Sequence, residues 1–172
     1  GQQYTITDYD AEPKPVQRPH PPFLIGGGGR KTLQLAGREA QIVGLAPRIG
    51  PNGVGDPSSA TVAATAEKIG WAREAAGARA DELEFNIYPS MTPVSVTDHA
   101  RREAEELADR LRARSGVAVS PDELLESPHI FIGSVESMVE KLTRLRAELG
   151  ISSIMVGDVG ELDAVVERLV GT

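Results

Sequence analysis

Short apolar runs and amphipathic stretches alternate along this chain from Phe23 onward. Phe23, Leu24 and Ile25 make a brief apolar strand that runs into four glycines, Gly26 to Gly29. An amphipathic helix opened by Arg30 and Lys31 follows, and a second buried strand, Gln41 to Leu45, comes directly after it. Ser58 or Ser59 is the expected cap of a helix reaching about Ala76, with Val62, Ala66, Ile69 and Ala72 or Arg73 near a 3.6-residue period. Leu83 to Tyr88 alternates Leu83, Phe85 and Ile87 against Glu84, Asn86 and Tyr88, the period of a strand. Thr97 or Asp98 opens a charged helix to about Arg114. Ser120, Pro121, Asp122 and Glu123 begin a short one, and Ser134 caps another through Leu149. Ile151 to Val156 is the last strand and Glu161 to Val170 the last helix.

Four core strands are therefore expected, at 23–26, 41–45, 83–88 and 152–156, separated by helices. That alternation predicts an α/β fold with a parallel sheet, and four βα units make half of an eight-stranded barrel. Residues 1–22 stand apart from the 23–172 unit. Gln2 to Tyr9 alternates enough to read as an edge strand or hairpin arm. Pro13, Pro15, Pro19, Pro21 and Pro22 then make an extended connector without ladder donors.

The chemistry concentrates in the glycine turn. Without Cβ atoms this turn can adopt positive φ and bring backbone N–H groups close to a ligand. The helix beginning at Arg30 adds roughly half a positive charge at its first turn. A strand, a glycine turn and a helix N-terminus together point to an anion, above all a phosphate. A flexible turn before a helix is the plainer reading of the same residues. The pattern is not a Rossmann fingerprint, because no acid ends the next strand. Nor is it a Walker A loop, because no Gly-Lys-Ser/Thr follows.

Composition narrows the partners. Eighteen basic against twenty-five acidic residues leave a net charge of −7. With no basic run, that argues against nucleic acid or an anionic membrane. Forty per cent apolar residues over 172 positions support a folded core. No cysteine is present, which excludes a disulfide framework and fits the cytoplasm. No apolar run approaches a membrane span. Beginning at Gly1 rather than Met, the chain reads as a processed product or a fragment. Its Ala, Arg, Gly and Val content suggests a high-GC bacterial source.

The run PKPVQRPHPPFLIGGGGRKTLQLAGREAQIVGL resembles the luciferase-like monooxygenase superfamily, and within it the actinobacterial coenzyme F-420-dependent oxidoreductases. The corresponding family stretch is a Pro-rich lead-in, then P-x-L-I-G-G-G-G, L-x-L-A and A-D-x-V/W, with Gln41 here in place of the usual Asp. IFIGSVESMVEKLTRLRAELGIS is similar to the family's V-G-S/T-P-E-x-V-x-E-x-L segment, with Val135 replacing Pro. WAREAAGARADELEFNI resembles the segment leading into the seventh strand. The resemblance implies the C-terminal half of a TIM (β/α)8 barrel, strands five to eight.

It implies coenzyme F-420 as cofactor, with FMN as the alternative, and a small-molecule organic substrate. It places the cofactor phosphate at Gly27, Gly28, Gly29 and Arg30 and at Gly44 and Leu45. Catalytic residues remain unassigned, because strands one to four supply them in the family. A half-barrel also leaves two open edges and an uncovered face. The missing N-terminal half or a second copy is expected to close it. Two functions stay open: part of a luciferase-like oxidoreductase, inactive alone, or a non-catalytic, self-associating half-barrel that binds a phosphate-bearing ligand or only a partner. A phosphate-ligand binder unrelated to redox is a third.

Other candidates read more simply. His20, His99 and His129 show no metal spacing and are expected in ordinary structural or surface roles. Asn86 and Tyr88 are expected to point into a barrel mouth, and Arg48 and Asn52 are within reach of a cofactor tail. The charges from Asp98 to Arg114 form a solvated helix face, and Trp71 packs helix on sheet.

Overall fold

Four parallel strands carry the fold: β1 (Leu24–Gly27), β2 (Ile42–Leu45), β3 (Glu84–Ile87) and β6 (Ile151–Ile154), side by side in that order. The computed structural model describes residues 2–51, 53–157 and 160–170. Leu24 pairs with Ile42 and Ile42 with Glu84; one layer on, Gly26, Gly44, Asn86 and Ser153 lie in register. Parallel crossovers are right-handed, so a sheet whose order never reverses lays its helices on a single face.

The helices are α1 (Arg30–Glu39), α2 (Val62–Ala76), α3 (Ala100–Ser115), α4 (Pro121–Glu126), α5 (Val135–Leu149) and α6 (Asp163–Leu169). Val43, Leu45, Phe85 and Ile87 meet Leu33 and Ala36 of α1, Ile69 and Ala72 of α2, Met138, Leu142 and Leu145 of α5 and Val165 of α6 in one core. α1 and α2 approach closely where a Cβ on Gly37 would stand 2.1 Å from the Ala72 carbonyl oxygen.

Between β3 and β6 the chain makes a second layer. Two short strands, β4 (Ser95–Val96) and β5 (Ile132–Gly133), pair in parallel. Beside them α3 and α4 enclose Leu107, Leu111, Leu124, Ile130 and Ile132. The Lys141 ammonium donates to the Leu125 and Ile130 carbonyls and lies over the Phe131 ring. Burial pushes its pKa down to about 7.

The Ser120 capping box with Glu123 and the Ser134 cap on the Ser137 N–H form as the sequence predicts. Two other starts differ. Asp56 caps a separate 3₁₀ turn, Pro57–Ala60, and the extended Thr61 then caps α2 through the Ala64 N–H. Asp56 and Pro57 thus use Ser58 and Ser59 for a turn of their own. Further on, α3 starts without a side-chain cap, because the Thr97 hydroxyl takes the His99 N–H instead. The edge strand expected over 2–9 does not form. Residues 2–23 hold no regular element, and Ile6 and Tyr9 are exposed. No strand lies beside them, and the prolines that follow offer no ladder donors to bring one there.

Candidate anion-binding site at the strand ends

β1 stops at Gly27, opposite Leu45, and the chain enters α1 after two more glycines. A Cβ on Gly28 would stand 2.6 Å from the Pro47 carbonyl oxygen and 2.8 Å from that of Ala46. The glycine turn therefore rests directly on the turn that follows β2. A Cβ on Gly27 would meet the Thr32 methyl at 2.7 Å, whereas one on Gly29 would meet nothing within 4 Å. Positive φ, which glycine permits, is not used in this run. Gly29 is extended (φ −103°, ψ 150°), and the left-handed glycines among the described residues lie elsewhere, at 53, 77, 116, 133 and 150. The strand passes straight into the helix, so glycine is needed here for closeness rather than for handedness.

α1 begins with its first-turn amides uncapped by any side chain and with no acid in that turn. Leu33 already donates to the Gly29 carbonyl at 3.1 Å, which leaves the N–H groups of residues 30–32 as the helix's unpaired donors. Space opens at Gly29 in front of them, and Lys31 is exposed beside them. Amides, dipole and cation all suit a phosphate. The residues present therefore fit the phosphate end of a cofactor.

The sequence-predicted residues do not all converge there. Arg30 leans onto α2, with its guanidinium 5.9 Å above the Trp71 ring and 3.6 Å from the Glu74 carboxylate. Gly44 is buried on the sheet face away from the helices, where a Cβ would stand 3.1 Å from the Gly26 Cα and 3.3 Å from Leu24. Leu45 turns its side chain into the core, so only its backbone borders the site. Arg48 is held within its own loop, its N–H on the Ser59 hydroxyl at 2.7 Å and its guanidinium 3.2 Å from Asp56. Asn52 lies outside the described residues. Asn86 faces Ser153 across the sheet and donates to its hydroxyl at 2.8 Å, and Tyr88 is partly exposed just beyond β3. Trp71 is half-buried against the core, as expected.

Two buried groups lie behind this site: Lys68, which escaped the sequence reading, and His129, for which an ordinary structural or surface role is expected. Lys68 of α2 is buried, and its ammonium donates to the Ala46 carbonyl at 2.7 Å and the Ser59 carbonyl at 2.5 Å. It closes the base of the loop after β2. Burial, with the Arg48 charge second, lowers its pKa to about 8. The signal was a lysine beside Ile69, one turn from Thr65 and Ala72, on the helix's buried stripe. His129 is fully buried, and neither ring nitrogen has a hydrogen-bond partner. Burial, and next the Lys68 ammonium, push its pKa to about 3; the nearby Tyr88 backbone opposes that shift only in part. His20 stacks on Phe23 and His99 is exposed. No group of three metal-ligating side chains occurs among the described residues, and no described helix is long and apolar enough to cross a membrane.

No family sequence model matches the chain, and no curated protein does either. Solved structures do match its fold. A crystal structure of the long-chain alkane monooxygenase LadA aligns over 87% of this chain and 41% of its own length, with a TM-score of 0.54 and 14% identity. The riboflavin lyase RcaE, solved with modified FMN and riboflavin, aligns over 87% and 43%, with a TM-score of 0.53 and 14% identity. The coenzyme F-420-dependent tetrahydromethanopterin reductase of Methanopyrus kandleri aligns over 86% and 49%, at 0.49 and 16%. The chain shares its α/β fold with part of LadA and part of RcaE, and it spans less than half the length of each of these three.

Proposed function

We propose that this chain is the cofactor-tail-holding half of a luciferase-like oxidoreductase that uses coenzyme F-420 or FMN on a small organic substrate. The observation that carries this reading is the uncapped start of α1, open at Gly29 and free of acids, at the C-terminal end of a parallel sheet. That end is where barrels of this kind seat phosphates. The fold likeness to RcaE, whose structure holds modified FMN, favours a flavin-type ligand. When bound, the cofactor ring supplies the redox chemistry. This chain's residues hold its tail: the N–H groups of residues 30–32 donate to phosphate oxygens and Lys31 adds charge. Arg30, committed to Trp71 and Glu74, steadies α1 rather than meeting the anion. Without cysteine or a described spanning helix, the chain suits the cytoplasm. The sheet face away from the helices, lined by Gly26, Gly44, Asn86 and Ser153, supports a second reading, a ligand-binding half-barrel without turnover.

Fluorescence anisotropy of coenzyme F-420 and of FMN, titrated with the purified chain, tests the proposal. Saturable binding of either is expected, and the preferred cofactor names the branch. Gly29→Asp then places a carboxylate in the anion's seat at a position with open space and ordinary φ. It is expected to weaken binding at least tenfold while leaving the circular dichroism unchanged. Failure to bind either cofactor overturns the reading. Binding indifferent to Gly29→Asp overturns the site.

A further inference from the structure

Lys68 and the glycine turn meet at one residue, Ala46. The Ala46 N–H donates to the Gly27 carbonyl at 3.1 Å, and a Cβ on Gly28 would stand 2.8 Å from the Ala46 carbonyl oxygen. That same oxygen accepts from the Lys68 ammonium at 2.7 Å. A single carbonyl group therefore separates a buried cation from the turn that opens α1. The second bond of Lys68, to the Ser59 carbonyl, fixes the ammonium in place. The other charges around it are settled. On the loop after β2, Arg48 pairs with Asp56; on α2, Glu67 is exposed; and His129, on the segment before β5, is held neutral by burial. At the mouth, Arg30 pairs with Glu74 and Lys31 is exposed, while Arg38 and Glu39 lie at the far end of α1. Lys68 is the member of this set whose charge changes between pH 7 and 9, because burial brings its pKa to about 8.

We infer that Lys68 is a positioning residue for the anion at the start of α1, bracing the turn from behind and lending it a charge that makes anion binding tightest while the amine is protonated. This rests on the anion reading of that site. The ammonium never touches the ligand; its field adds to that of the N–H groups of residues 30–32. Brace and charge are separable. A neutral amine keeps two N–H donors, one for each carbonyl, so raising the pH removes the charge and leaves the brace. The sign follows from linkage. An anion favours the ammonium over the amine, so bound anion raises the Lys68 pKa, and by reciprocity affinity falls as pH rises through it. The phosphate of FMN, with a second pKa of about 6, keeps its charge over the same range.

Anisotropy titrations of FMN with the purified chain at pH 7 and at pH 9 test this. Affinity is expected to fall roughly fivefold between them, the effect of one nearby charge in a medium between protein and water. Lys68→Met is expected to bind at pH 7 no better than the unaltered chain does at pH 9, and to show no pH dependence. Lys141, the other buried amine among the described residues, is unchanged in that variant, so a slope caused by its titration would persist. NMR of lysines labelled with ¹³C at Cε gives a second readout, on the unaltered chain. The Lys68 signal, the one missing from Lys68→Met, is expected to titrate at higher pH with FMN bound than without. FMN binding equally well at both pH values, a slope retained in Lys68→Met, or a Lys68 titration that FMN leaves unmoved overturns the inference and leaves the anion site standing. No binding of FMN or of coenzyme F-420 at either pH overturns the anion reading and this inference with it.

Discussion

The two faces of the main sheet are built to opposite rules. On the helix side Val43, Leu45, Phe85 and Ile87 are each 1% exposed or less, locked among side chains of four helices. On the other side the same strands carry Gly26, Gly44, Asn86 and Ser153 in register, flanked by the exposed Leu24. The first set does what a core does. The second is small or polar and ends at the glycine turn, and although Gly44 and Asn86 are buried there too, it carries no large apolar side chain of the core.

The largest test of that division is Phe85→Ala on the packed face, expected to cost about 4 kcal/mol in urea unfolding through lost burial and a residual cavity. Acid probes the buried polar groups. The folded pKa of His129, about 3, lies below the ordinary 6.5, so the unfolded chain takes up a proton first as pH falls. The His129 contribution is complete above pH 6.5 and is lost between 6.5 and 3, by roughly 2–3 kcal/mol at pH 4.5. His129→Leu is expected to flatten that slope in a stability–pH series. Lys68→Met leaves two buried carbonyls unpaired and is expected to cost about 2 kcal/mol. Asn86→Ala, on the opposite face, removes one hydrogen bond to the Ser153 hydroxyl and is expected to cost ~1 kcal/mol. If it matched Phe85→Ala, the division between the faces would be lost.

Much of this was legible in the sequence. Period-two and period-3.6 patterns located the four strands, and Ser120 and Ser134 marked their helices because capping is local chemistry. What failed depends on contacts distant in sequence. The glycine turn was read for close approach to a ligand, and what its sequence does not show is that Pro47, nineteen residues beyond Gly28, sets the need for glycine there. Alternation at 2–9 suggested a strand, yet a strand exists only where another lies alongside. The Arg30 guanidinium lies against Trp71 and Glu74, on a different helix, a placement no local pattern announces. At the start of α1 the order of strand, glycine turn and helix was visible from sequence, and the side-chain geometry was not.

The Lys68 clamp has a meaning for how such a chain can change. Its ammonium holds the carbonyls of Ala46 and Ser59, and Arg48 and Asp56 exchange further bonds just inside. The loop is riveted at its base, so lengthening it between Gly50 and Gly55 does not slide β2 against α2. Each doubling of such a loop costs only ~0.6 kcal/mol in closure entropy. Lineages, and engineers grafting peptides at a barrel's mouth, have there a place to write new sequence without rewriting the frame that bears it.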